Sequence, residues 1–186
     1  MKAAVLVIDM LEDFFLSGPL SERRGRLTAA TNRLVIAARD AAVPVIWVRQ
    51  EFESDLSDAY LLMKDKGNRI TIRGTNGCKL LSELDVSEAD HEIIKKRYSA
   101  FFDTDLEYLL VSQGIEHLIM AGVNTHACIR SSAVDAYQRD YRVTIALDAV
   151  DSYDENYHVE SLRYFEQSIG KLQDNDQIIR GCLTCN

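Results

Sequence analysis

Apolar positions along the chain fall into two alternating patterns. Short unbroken runs such as Ala3-Ala-Val-Leu-Val-Ile8, ended by Asp9, and Val45-Ile-Trp-Val48, opened by Pro44, have the form of strands buried on both faces of a parallel sheet. Between them, Leu27, Ala30, Leu34, Ala37 and Ala38 recur at helical spacing and predict a helix from about Glu22 to Ala42. The alternation continues with strands over Asp90–Ile94, His117–Ala121 and Val143–Leu147, and a weak last one over Gln177–Ile179. Helices are expected over Thr104–Gln113, closed by Gly114, over Thr125–Asp140 and over Asn156–Ile169. The polar stretch from Arg49 to Gly77 reads as a long excursion with one helical turn near Tyr60 to Met63, and excursions of that length in compact domains are often functional.

Strands alternating with helices imply βαβ units, which close right-handed into a parallel sheet covered on both faces, an α/β fold. In such sheets ligands bind beyond the carboxyl ends of the strands. A chain of 186 residues, 47% of them hydrophobic, supports one well-formed core. A single domain over residues 1–186 is therefore expected, with 178–186 as a frayed tail.

Composition narrows the partners. The formal charge of −8 leaves no cationic excess for a phosphate backbone or an anionic membrane, so neither nucleic acid nor a membrane is expected as a partner. The longest apolar runs fall far short of the roughly 20 residues that span a bilayer. Acidic Asp9, Glu12 and Asp13 interrupt the amino terminus before a signal-peptide core could form, and a cytoplasmic location is expected. The four cysteines, Cys78, Cys128, Cys182 and Cys185, are unevenly spaced and read as reduced thiols rather than a disulfide framework.

Three reactive residues fall where strands end: Asp9 after the first, Lys95 after the third, and Cys128 in the turn Gly122-Val-Asn-Thr-His-Ala-Cys128 after the fourth. That places all three on one edge of the sheet. Each alone has a plain reading: a capping carboxylate, a solvated lysine, a small buried hydrophobe. Together they match a wider resemblance, carried by Val5-Leu-Val-Ile-Asp-Met-Leu-Glu-Asp-Phe14, Lys95-Lys-Arg-Tyr-Ser-Ala-Phe-Phe-Asp-Thr-Asp-Leu106 and Ala121-Gly-Val-Asn-Thr-His-Ala-Cys128. In these stretches, in this order, the chain resembles the isochorismatase-like cysteine hydrolases.

The resemblance implies a Rossmann-like, three-layer αβα fold with a parallel six-stranded sheet, a dimeric or tetrameric assembly, and an Asp, Lys, Cys catalytic triad that maps onto Asp9, Lys95 and Cys128. It also implies an oxyanion hole from the backbone N–H groups of Asn124 and Cys128, and a cis peptide between Val123 and Asn124. Lys96 is a rival for the lysine role, but the family's lysine lies two positions before the Arg-Tyr-Ser segment, and consecutive strand residues face opposite ways. Leu11 departs from the Gln that many members carry there.

The chemistry gives the triad a physical rationale. A free thiol with a pKa of about 8.5 is only a few per cent thiolate at neutral pH, and bringing it to about 6.5 needs roughly 2.7 kcal/mol. A helix N-terminus starting at Thr125 supplies about 0.3–1 kcal/mol, up to ~2 when partly buried, so an ammonium is wanted beside the sulfur and a carboxylate to take its proton.

Other signals carry less. His91, His117, His126 and His158 have no metal-ligand spacing, and no Gly-x-Ser-x-Gly turn is present. Nicotinamidases of the family resemble one another in an Asp-x-His metal segment after the second strand; here that region reads Arg49-Gln-Glu-Phe-Glu53, so no metal or other cofactor is expected and nicotinamide is disfavoured. Cys182-Leu-Thr-Cys185 lacks a second pair for zinc. Phe15, Trp47, Phe52 and Tyr98 are candidate pocket residues. The expected function is hydrolysis of a C–N bond in a small amide, ureido or carbamoyl compound through a thioester; the alternatives are enol ether cleavage of the isochorismatase type and a non-catalytic binding protein on the same scaffold.

Overall fold

The computed structural model describes residues 1–183, the side chain of Cys182 excepted. Six parallel strands form one sheet in the order β3-β2-β1-β4-β5-β6. They are β1 (Ala3–Ile8), β2 (Val45–Gln50), β3 (His91–Lys95), β4 (His117–Val123), β5 (Arg142–Asp151) and β6 (Lys171–Gln173). Six helices accompany them: α1 (Gly18–Asp40), α2 (Leu61–Lys66), α3 (Leu106–Ser112), α4 (Arg130–Gln138), α5 (Glu155–Ser168) and α6 (Asn175–Cys182). This is the Rossmann-like αβα arrangement.

Side chains of β1 alternate between two cores. Ala4, Leu6 and Ile8 pack with Ile46, Val48 and Met120 beneath Leu106 and Leu110 of α3, Ala133 of α4 and Phe165 of α5. Val5 and Val7 pack with Trp47, Ile119 and Ala121 beneath Leu27 and Leu34 of α1 and Ile178 of α6. All six residues of β1 are buried, which is why its sequence is unbroken apolar rather than alternating. Each fully buried Val or Leu contributes about 1.5–3 kcal/mol.

The carboxyl end of the chain differs from the expected weak strand and frayed tail. Lys171–Gln173 is the sixth strand, and Gln177–Ile179 lies inside α6. The reason is local: Asp174 accepts from the Gln177 N–H at 2.7 Å, and the Gln177 side chain accepts from the Asp174 N–H at 3.0 Å, a capping box that starts a helix. Ile178 is then turned into the core under α1. Cys185 lies outside the described residues.

The strand order reverses between β1 and β4, and that is where crevices open at the carboxyl edge of such sheets. Ile8 of β1 faces Gly122 of β4 in register. Gly122 has φ +113°, and a Cβ there would lie 1.9 Å from the Ile8 carbonyl oxygen, so only glycine lets the two strands meet at this point.

Candidate functional site

Asp9 follows β1 and is held by β2: its N–H donates to the Val48 carbonyl at 2.8 Å, and its Oδ1 accepts from the Gln50 N–H at 2.8 Å. Its φ of +56° is a left-handed conformation, which aspartate tolerates better than most residues. The carboxylate is thereby turned out of the strand path and over the sheet edge.

Lys95, the last residue of β3, pairs in register with Gln50. The strand's burial alternates so that Ile93 and Lys95 point inward and Glu92 and Ile94 outward. Lys96 projects elsewhere, to Asp58 at 2.8 Å and the Glu51 carbonyl. The Lys95 ammonium lies 2.7 Å from Asp9 Oδ2 and 3.4 Å from Cys128 Sγ, and donates to the Arg97 carbonyl at 3.1 Å. Both charged side chains are wholly buried, and Cys128 is 4% exposed. Three residues far apart in sequence thus share one dry point.

Cys128 sits in a wide, π-helical turn, Thr125–Ile129, between β4 and α4, with Asn124 rather than Thr125 as the preceding cap residue. The Val123–Asn124 peptide bond is cis. Amides of Ala127 and Ile129 both donate to the Asn124 carbonyl, at 3.0 and 3.2 Å, and the Tyr153 N–H donates to Asn124 Oδ1 at 3.1 Å. Ser132 fixes the other side of the turn, donating to the Cys128 carbonyl at 2.7 Å while accepting from the Ala100 N–H at 2.9 Å. Thr125 meets His158 at 2.9 Å, and His126 meets Ser152 at 2.6 Å. Burial holds both imidazoles below the usual histidine range, so they serve the turn as neutral hydrogen-bonding rings.

Electrostatics here differ from the expectation of a resting thiolate. Burial pushes the Cys128 thiol up from its ordinary value, the Asp9 carboxylate adds to that, and Lys95 only partly opposes them. For Lys95, burial works against the charge, but the Asp9 carboxylate and the contact with Cys128 outweigh it and the ammonium is strengthened. The resting cluster is therefore a carboxylate–ammonium pair beside a neutral thiol. An anion on sulfur would place two negative charges around one cation in a spot shut away from solvent, which costs more than ionising an exposed thiol.

The four aromatic candidates separate. Trp47 and Phe15 belong to the core beneath α1, with the Trp47 indole N–H donating to Asp90 at 2.8 Å, so packing claims both. Phe52 and Tyr98 instead flank Tyr60, with ring centroids 5.6 and 4.9 Å from it. Tyr60 itself was not singled out by sequence, although it opens the short helix α2 inside the excursion; a lone tyrosine in a polar loop carries no spacing signal. Ser132 was missed for the same reason, since serine four residues after a cysteine on a helix is common.

A cation site does not fit the segment after β2. Glu51 is held by Arg49 at 3.2 Å and Arg73 at 2.9 Å, and Glu53 by Arg73 at 2.5 Å, so guanidinium groups already occupy the carboxylates. Among the described residues, no cluster of three or more His, Cys, Asp or Glu could hold a metal. No helix of the described residues is long and apolar enough to cross a membrane. A cavity of about 830 Å³ lies at the opposite, amino-terminal edge of the sheet, lined by His117, Tyr137, Arg142 and Lys171, and includes none of Asp9, Lys95 and Cys128.

Comparison with known proteins places this geometry in a family. Residues 3–177 match the isochorismatase domain. The chain is 35% identical, over 87% of its length and 86% of the relative's, to a protein of Arabidopsis thaliana described as a probable inactive nicotinamidase. Among solved structures, it superposes on an isochorismatase family protein from Desulfovibrio vulgaris with a TM-score of 0.86 at 26% identity, covering 95% of this chain and 96% of that one. The N-carbamoylsarcosine amidase of Thermoplasma acidophilum gives a TM-score of 0.80 at 26% identity, covering 95% and 98%. On the family match across the chain and the agreement of fold, this protein belongs to the isochorismatase family of hydrolases.

Proposed function

We propose that the chain is a cysteine-dependent amidohydrolase that cleaves a C–N bond of a small amide, ureido or carbamoyl compound without a cofactor. The observation that carries this reading is the convergence of a buried carboxylate and ammonium, 2.7 Å apart, on a thiol 3.4 Å from the ammonium. A sealed ion pair of this kind is costly to desolvate and contributes little net stability, so its presence beside a nucleophile fits chemistry better than packing.

In this reading Cys128 attacks the substrate carbonyl as Asp9 takes its proton; Lys95, paired with Asp9, lowers the cost of negative charge on sulfur. The carbonyl oxygen becomes an oxyanion, which in this reading the N–H groups of Asn124 and Cys128 receive; one such donor typically accounts for about 10²–10³ in rate. Asp9 returns the proton to the departing nitrogen as the C–N bond breaks, leaving a thioester, or a thiocarbamate from a ureido substrate. Water activated by Asp9 then releases the acid and restores the thiol. A neutral resting thiol suits this scheme, because proton transfer and attack then occur together, with the substrate in place.

The N-carbamoylsarcosine amidase with its shared fold supports a ureido or carbamoyl substrate. The name of the Arabidopsis relative favours the non-catalytic alternative for that protein. Ammonia release from a panel of amides and ureas, with Cys128→Ser as control, tests the reading. Turnover that survives in the serine variant overturns it.

A further inference from the structure

One buried polar group beside the cluster has no partner. The Tyr60 hydroxyl is buried and makes no hydrogen bond among the described residues, and it stands within electrostatic reach of both Asp9 and Cys128. It cannot readily turn away. Its ring meets Phe52 edge-on at 5.6 Å and Tyr98 at 4.9 Å, and the Arg97 guanidinium lies over it at 5.4 Å. Its backbone is fixed as well, since the Tyr60 carbonyl accepts from Met63 and Lys64 at the start of α2.

The residues that follow Lys95 pin this region over the site. Lys96 pairs with Asp58 at 2.8 Å, and Arg97 donates to the Asp58 carbonyl at 2.8 Å, two residues before Tyr60. The strand that delivers the ammonium therefore also anchors the phenol. Other unpartnered buried hydroxyls, such as Thr28 and Thr31 on α1 and Ser161 on α5, sit on helices with carbonyls of the preceding turn close by. Tyr60 has no such recourse, because its oxygen is held at the far end of a rigid ring.

On the amidohydrolase reading above, we infer that Tyr60 is a specificity-determining residue whose hydroxyl donates to an oxygen acceptor on the substrate, carried beside the scissile C–N bond. The substrate class is then a ureido or carbamoyl compound bearing a carbonyl or carboxylate oxygen, rather than a simple alkyl amide. Burial, reinforced by the nearby Asp9 carboxylate, holds the phenol above the usual tyrosine range, so it is a donor at any working pH. Arg97 makes no ion pair with a carboxylate among the described residues, its guanidinium being spent on the carbonyls of Asp58 and Lys96, and its positive charge favours an anionic acceptor. A substrate lacking the acceptor leaves a buried donor unpaired and is rejected on that account.

The test uses two ureas, ureidoacetate, which carries the acceptor and its negative charge, and propylurea, which carries neither beyond the shared urea group. Binding is measured by calorimetry in a Cys128→Ala background, so that it is read whether or not the chain turns over, with Tyr60 intact and with Tyr60→Phe. Ureidoacetate is expected to bind more tightly than propylurea and to lose roughly tenfold or more in Tyr60→Phe, while propylurea changes less than about twofold. The thermal midpoint is not expected to fall, because the variant removes an unpartnered hydroxyl and keeps the ring. Equal losses for both ureas, no loss for ureidoacetate, or binding of neither at millimolar concentration overturns the inference. Ammonia release by the chain with Cys128 intact reports separately on the hydrolase reading: turnover of propylurea alone keeps that reading and sinks this one.

Discussion

Two aspartates lie at the carboxyl edge of the sheet, Asp9 after β1 and Asp151 at the end of β5, and both are shut away from water, yet they are partnered in opposite ways. Asp151 is met by Arg23 at 2.6 Å and by Arg26, whose side chains remain 33% and 53% exposed. Those guanidinium groups reach the carboxylate over their own stems and keep contact with solvent, so little desolvation is incurred. Asp9 is met by a lysine that is itself wholly buried, with a thiol as third member. The first arrangement ties α1 to the end of β5. The second concentrates charge where packing gains nothing from it, as the proposed reactive cluster requires and a structural pair on the same edge does not.

The widest separation is expected in activity. Cys128→Ser should lower amide or urea hydrolysis by about a thousandfold or more while leaving the fold intact by circular dichroism, because the serine hydroxyl is a far weaker nucleophile beside the same carboxylate. Arg26→Ala should leave turnover near that of the parent. If both variants lose activity equally, the contrast between the two aspartates collapses.

Stability comes next. Lys95→Met strands a buried carboxylate and should cost about 3–5 kcal/mol in urea denaturation, against less than about 1 kcal/mol for Arg26→Ala, where Arg23 and the Ser152 N–H still serve Asp151. Similar losses would mean that the buried pair is no different in kind from the exposed one. Gly122→Ala, which forces a Cβ against the Ile8 carbonyl at a backbone angle that alanine avoids, should cost about 2–4 kcal/mol and shift Asp9 as well, because Asp9 follows Ile8 directly. A crystal structure or urea curve indistinguishable from the parent would show that the strands can part there without harm.

The smallest effect is in acid. Arg24 beside Glu83 holds that carboxyl down at about 2, from an ordinary 4.5. A depressed carboxylate stabilises the fold fully above its unfolded value, and that contribution disappears as the pH falls from about 4.5 through about 2. Glu83 is half exposed, so after screening the loss should be below about 1 kcal/mol, and Glu83→Gln should flatten that limb of the stability curve slightly. A large change there would mean that surface pairs do more for this fold than the comparison of Asp9 with Asp151 allows.

How far the site could be read beforehand depended on how local its cause was. β1 and β2 were visible because strands buried on both faces need long apolar runs, and α1 because Leu27 and Leu34 repeat at its pitch. Asp9, Lys95 and Cys128 each stood at a strand end, where a parallel sheet brings its loops together. Gln177–Ile179 misled, since three residues with two isoleucines suit a strand equally well, and the capping box at Asp174 decided for helix. Tyr60 stayed hidden because nothing in Asp58-Ala-Tyr-Leu61 says that Lys96 and Arg97, more than thirty residues later, will fasten this loop over the cluster.

The sequence by itself determined the alternation of strands and helices and the edge of the sheet where Asp9, Lys95 and Cys128 gather, because each follows from local patterning and strand polarity. Only the tertiary structure decided that the cluster is buried, that burial and Asp9 push its thiol up rather than down, and that the Tyr60 hydroxyl is left unpartnered. Burial and charge are summed over neighbours from every part of the chain, and no stretch of sequence contains that sum.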